Sequence, residues 1–181
     1  MKDTYQIDPA HSSVQFSVRH MMISNVRGSF SGIKGTVVYD SDNPSGSTIE
    51  AEIDAASINS HDAQRDEHLR GPEFLDTARY PTITFKSTKV ERAGEGELKV
   101  TGDVTIHGVT KPVTLTVEDI SSDAKDPWGK TRAAASAKTK LNRKDFGLSW
   151  NVALEAGGVL VGDEIKLEFE IEAVKAQSAA A

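Results

Sequence analysis

Residues 164–173, EIKLEFEIEA, put Ile165, Leu167, Phe169 and Ile171 on one parity and five charged residues on the other. Successive side chains of a strand point to opposite faces, so this alternation specifies a β-strand with one face buried and one in water. The same pattern recurs. Val14, Phe16 and Val18 alternate with Gln15, Ser17 and Arg19; Ile49, Ala51 and Ile53 with acids; Val113, Leu115 and Val117 with threonines. Further strands fit at 33–40, 81–91, 97–107 and 130–141, divided by turn sequences such as DNPSG, AGEG, HGVTKP and DPWG. About eight strands are expected. Antiparallel strands of this kind must pack as a sandwich or close as a barrel.

The barrel is favoured because the inward-facing sets include small residues: Gly35, Ala51, Ser87, Gly102, Ala133, Ala135 and Ala137. An eight-stranded barrel is near the size at which side chains just fill the interior or leave room for one ligand. Small inward residues point to the ligand, against the alternative of an alanine strand packed on large neighbours. One helix is expected in SHDAQRDEHLRGP, with Ser60 as N-cap, Asp62 in the first turn, and Gly71 and Pro72 ending it. With only Ala63 and Leu69 apolar, that helix is expected to dock through polar contacts. A single β domain over 1–175 and a short Ala/Ser tail at 176–181 complete the layout.

Composition removes several kinds of chemistry. The chain has no cysteine, which excludes disulfides and thiolate nucleophiles. Against 27 acidic residues stand 21 basic ones, and a net charge of -6 has the wrong sign for binding nucleic acid or an anionic membrane through bulk electrostatics. No segment approaches the ~20 apolar residues of a membrane-spanning helix, and the N-terminus lacks a signal-peptide core. Cytoplasmic residence is the expectation, with the periplasm as the alternative for a trimmed N-terminus.

The stretch RDEHLRGPEFLDTARYPTITF concentrates polar groups ahead of an apolar run. His61 and His68 stand seven apart, about 10.5 Å along a helix, which is poor geometry for one metal ion. Asp66 and Arg70 have the spacing of a structural ion pair. No metal site, phosphate loop or nucleophile elbow is expected. In 130–141, Arg132, Lys138 and Lys140 share one parity. An antiparallel neighbour at 164–172 would set Glu164, Glu168, Glu170 and Glu172 beside them and neutralise the run.

Five blocks carry a family resemblance: YQIDPAHSSVQFSVRH, VRGSFSG, RDEHLRGPEFLDTARYPTITFKST, VTGDVTIHGVTKPVTL and LNRKDFGL. In this order they resemble the YceI family of polyisoprenoid-binding proteins. The resemblance implies an all-β fold, an extended, lipocalin-like antiparallel barrel with the helical segment against it and a long isoprenoid chain in its pore. It supplies a ligand class and no reaction. The side chains expected to line the pore are Phe16, Val18, Phe30, Ile33, Ile53, Phe85, Val104, Ile106, Ala135, Phe146, Trp150 and Phe169. RDEHLR is expected to be a polar clasp, with Arg143 as its partner; the sharper alternative gathers His20, His68 and Arg143 at a pore mouth around a ligand headgroup. A polyisoprenoid lipid, an isoprenoid quinone or polyprenyl chain, is the expected ligand, carried, stored or sensed, with no cofactor. Transient membrane contact and a homodimer stay open. So do two other classes: a lipid- or quinone-modifying enzyme using His20, Asp66 and His68, and a surface interaction module around a filled barrel.

Overall fold

The structure is a computed structural model and describes residues 1–177, so the tail from 178 onward lies outside the described residues. Eleven strands form one antiparallel sheet. They are β1 Lys2–Ile7, β2 Ser13–His20, β3 Ser24–Phe30, β4 Lys34–Asp40, β5 Thr48–Asp54, β6 Thr82–Gly94, β7 Glu97–Ile106, β8 Val109–Glu118, β9 Ala124–Lys125, β10 Thr131–Asn142 and β11 Val161–Lys175. The ring β11-β1-β4-β5-β6-β7-β8-β10 returns to β11 and closes an eight-stranded barrel. Closure removes the unpaired edges that an open sheet of these strands would expose.

The N-terminal part of the wall is one long broken hairpin. β1 and β2 follow each other along β11, separated by a single 3-10 turn at Pro9–His11. Across that gap the ladder is kept by Asp8 N–H donating to Glu172 O at 2.9 Å, and by the Ser12 hydroxyl donating to Glu172 O and accepting from Glu172 N–H. β3 pairs with β2 and β4 with β1. β3 rejoins the opposite side through a two-bond bridge between Ser29 and Asn59. β8 and β10 share only three register pairs, Thr116–Glu118 against Ser136–Lys138.

Strand β11 meets β10 antiparallel, with Lys138 opposite Glu168, so the expected pairing of the basic run is present. Its ion pairs differ in detail. Lys138 Nζ reaches Glu118 of β8 at 3.0 Å; Lys140 faces Lys166 and reaches Glu164 diagonally at 3.8 Å. Arg132 binds Asp8, Asp126 and Glu172 at 2.7–2.8 Å.

Helix α1 is Ala63–Arg70, and its N-cap is Asp62, not Ser60: the Asp62 carboxylate accepts from Arg65 N–H at 3.0 Å. Ser60 has another task, described below. Past the helix, the buried residues Phe74 and Leu75 anchor the segment in the barrel, and Leu69 packs against the same core cluster. The polar helix therefore docks through the apolar side chains at its C-terminal side, which the composition of the helix alone does not reveal. Two of the glycines counted as pore space also have another cause. A Cβ at Gly102 would lie 2.5 Å from Lys86 O and from the Phe85 ring, and one at Gly35 would lie 2.1 Å from Glu50 O. These glycines permit close strand and ring packing.

Candidate functional site: a cavity through the barrel

The inward parity of nearly every strand faces one elongated cavity of about 1390 Å³. That exceeds the ~300–1,000 Å³ of ordinary small-molecule pockets. It runs from the end that holds Lys2 and Lys175 to the end covered by α1 and the 147–160 loop, here called the helix end. The inward residues form three apolar clusters along this axis. Val90, Leu98 and Val100 lie toward the terminal end; Ile7, Val14 and Ile33 in the middle; Phe16, Val104, Ile106 and Phe146 toward the helix end. On β10 the wall is Ala133, Ala135, Ala137, Thr139 and Leu141. Opposite Ala135 and Ala137 stand the large Ile171 and Phe169 of β11, while Ala133 faces Ala173.

All twelve expected pore positions, Phe16, Val18, Phe30, Ile33, Ile53, Phe85, Val104, Ile106, Ala135, Phe146, Trp150 and Phe169, border this cavity. So do His20, His68 and Arg143. Charged groups reach it at the ends: Asp3, Arg92 and Glu97 at the terminal end, Arg19, Asp62 and Arg65 at the helix end. Between them the wall is mostly aliphatic and aromatic and carries no charged group; the Thr139 hydroxyl is satisfied by donating to Thr114 O at 2.8 Å.

At the helix end, three rings tie the α1 segment to the 147–160 loop. The His68 ring stands edge-on to Phe74 at 5.0 Å and to Trp150 at 4.7 Å, and Phe74 lies 5.4 Å from Trp150. His68 Nε2 bonds Glu73 Oε2 at 2.5 Å. Asp66 turns away from the cavity. Its Oδ1 accepts from Ser60 N–H at 2.8 Å and from the Ser60 hydroxyl at 2.5 Å, and Arg65 donates to the same hydroxyl and to Ser60 O. Burial pushes the Asp66 carboxyl up, but the Ser60 hydrogen bonds and the cations Arg70 and Arg65 outweigh it and hold it below its ordinary value. The clasp is thus α1 on its own Ser60 loop, with Ser60 in place of Arg70 as the direct partner of Asp66.

Arg143 is not part of that clasp. It is 3 % exposed and donates to four backbone carbonyls: Gly162 at 2.8 Å, Leu148 at 2.5 Å, Trp150 at 2.9 Å and Val161 at 3.2 Å. Burial lowers its pKa, and Asp163 at 3.9 Å works the other way. With its donors engaged in folding the 147–162 segment, Arg143 has little left for a headgroup. Sequence reasoning missed several wall residues, among them Tyr5, Tyr39, Val90 and Val100. Val90 was hidden by a β-bulge at Ser87/Lys89 that shifts the parity of β6.

Away from the cavity, Asp8, His11 and Glu172 come within ligating distance of one another. The Arg132 guanidinium already lies 2.7 Å from Asp8 and 2.8 Å from Glu172 and supplies the compensating charge.

A model of the YceI-like domain matches residues 5–173. The chain belongs to the YceI family. The protein YceI of Escherichia coli O157:H7 is 39% identical over 173 residues, which is 94% of this chain and 86% of the relative. Among solved structures, Burkholderia cenocepacia BcnA superposes with a TM-score of 0.78 at 23% identity, covering 92% of this chain and 98% of BcnA. A polyisoprenoid binding domain from Saccharophagus degradans, described as implicated in plant cell wall breakdown, gives a TM-score of 0.66 at 16% identity, covering 95% and 98%. At those identities the two structures establish the shared fold of this YceI member.

Proposed function

We propose that this YceI protein binds a long-chain isoprenoid lipid lengthwise in its barrel and acts as a carrier or store for it, without catalysing a reaction. The observation that carries this reading is the cavity: long, mostly apolar along its middle, with its charged groups at its two ends. An extended hydrocarbon chain with one polar terminus matches that distribution. Each five-carbon unit buried contributes about 3–4 kcal/mol before ordering costs, so a few units suffice for tight binding. The Saccharophagus domain, described as binding polyisoprenoid, supports the same ligand class by likeness of fold. The enzyme alternative loses one of its three groups, since Asp66 is bonded to Ser60 away from the cavity.

Organic extraction of protein purified from its native host, followed by mass spectrometry, tests the reading. A polyprenyl or isoprenoid-quinone species at about one per barrel is expected. A lipid-free barrel that takes up no polyprenyl probe after delipidation would overturn it.

A further inference from the structure

Five of the seven large apolar side chains that stand exposed on the described residues occur together at the helix end: Met21, Met22, Ile23, Val152 and Val159, at 43, 57, 73, 46 and 40 % exposure. They belong to two loops that touch. Met21 N–H donates to Leu160 O at 2.7 Å, Ala153 bridges Val159, and Gly158 leaves room for Met22, whose sulfur would lie 2.0 Å from any Cβ placed there. From this tip the apolar surface continues inward, since Val26, Leu160 and Val161 border the cavity.

The turn that carries the methionines breaks a local rule. Ile23 N–H closes it on His20 O at 3.2 Å, and both central residues have positive φ, 51° for Met21 and 62° for Met22. That conformation is inexpensive for Asn and Gly and strained for longer side chains. The β7–β8 turn of this same chain has the same signs, 54° and 72°, and uses His107–Gly108. A strained Met-Met pair with its side chains in solvent does not serve the fold.

Charge complements the apolar tip. Arg19 and Arg27 flank the methionine turn with no acid between them, while the 147–162 loop adds Glu155 and no base, so the positive charge of the tip sits on the turn itself, in a chain of net charge -6. Arg19 is fixed over the turn by donating to Met22 O at 3.1 Å. We infer that this tip docks the protein on an anionic lipid bilayer, with Met21, Met22 and Ile23 inserted among the acyl chains and the cavity mouth facing the membrane. Five side chains cover far less than the ~800 Å² per partner of a stable protein interface, whereas a bilayer accepts such a protrusion without a complementary shape. The purpose of docking rests on the lipid-carrier reading; the docking itself does not.

Vesicle flotation tests it, with phosphatidylglycerol-containing vesicles against pure phosphatidylcholine. Wild type is expected to float with both, more with the anionic vesicles, and to lose that excess at high salt. Met21→Asn/Met22→Gly, which suits the turn, should keep or raise the melting temperature and reduce vesicle binding about tenfold. Ile23→Ser should reduce it similarly. Wild type that binds neither vesicle, or variants that bind as well as wild type, would overturn the inference. So would loss of a wild-type dimer in the variants without a change in flotation, which would assign the tip to a second copy. Uptake of an ethanol-dispersed fluorescent polyprenyl probe, measured without vesicles, separates the two readings. Its failure with flotation intact removes the carrier and leaves the docking; the reverse result removes the docking and leaves the carrier.

Discussion

Arg143 does the work of a small core. Its planar fork holds the carbonyls of Leu148, Trp150, Val161 and Gly162, and those residues would otherwise bring unpaired polar backbone to an apolar cavity wall. Arg143→Ala should destabilise the protein by about 3 kcal/mol or more, and Arg143→Lys should recover little, as denaturant melts would measure. If Arg143→Ala melts like wild type, the 147–162 segment is held by something else. Arg132 is the corresponding hub at the terminal half. The Arg132 hydrogen bond, and after it His11, holds the Asp8 carboxyl far below its ordinary value of 3.8, and Arg132 lowers Asp126 as well. A depressed carboxyl stabilises the fold above its unfolded pKa, and that contribution is lost as pH falls toward the folded pKa. Melting temperature should therefore drop steeply as pH falls below about 4. Arg132→Gln should melt lower at neutral pH and show a shallower acid limb in the same pH series. An acid limb as steep as wild type would place the titrating groups elsewhere.

The strands whose alternation is unbroken are legible from sequence, and so are the faces they turn inward: parity puts Phe16, Ile53, Val104 and Phe169 inside, and they border the cavity. Elements without such a run were not. β3, SNVRGSF, mixes Asn, Gly and Ser, and its Gly28 exists because a Cβ would lie 2.4 Å from the Phe16 ring of β2. β1 is too short for its three alternating positions, Asp3, Tyr5 and Ile7, to stand out. Gly102 read as empty space because only the pairing of β6 with β7 reveals Phe85 over it. Arg143 reads from sequence as a partner of the clasp, or in the alternative as a headgroup ligand, because its carbonyl partners come from a loop with no periodic signal. The charge on β10 was legible in sign and not in partner: Lys138 lies directly across from Glu168 yet reaches Glu118 on the other side. Lys138→Glu should lower the melting temperature slightly. Adding Glu118→Lys should restore it better than adding Glu168→Lys does, a difference that four melting curves can resolve; equal rescue by both would make the strip a diffuse field.

For the molecule as a whole, the balance is between a filled and an open interior. Ala135 stands on the cavity wall with Phe169 and Ile171 among the large side chains of the facing inward set. Ala135→Trp should fold, with a loss well below the cost of overpacking a filled core, about 1–3 kcal/mol, and should lose most of its polyprenyl uptake. Unfolding of that variant, with no folded but lipid-free form, would mean that the interior is packed. Length of ligand is then limited by the distance between the two polar ends, and not by the strength of the wall, since apolar burial is additive along the chain. The geometry of β11 bears on how such a barrel comes into being. This strand follows all the other described strands in sequence, and it pairs with β10 on one side and with both β1 and β2 on the other. During synthesis, every earlier strand leaves the ribosome before the one that joins the two edges exists. Until then the greasy face of the growing sheet is in water beside two open edges, with the N-terminal hairpin waiting for a partner made after it. The interval before residues 161–175 emerge is therefore the one in which this sheet is most exposed to wrong edge pairing.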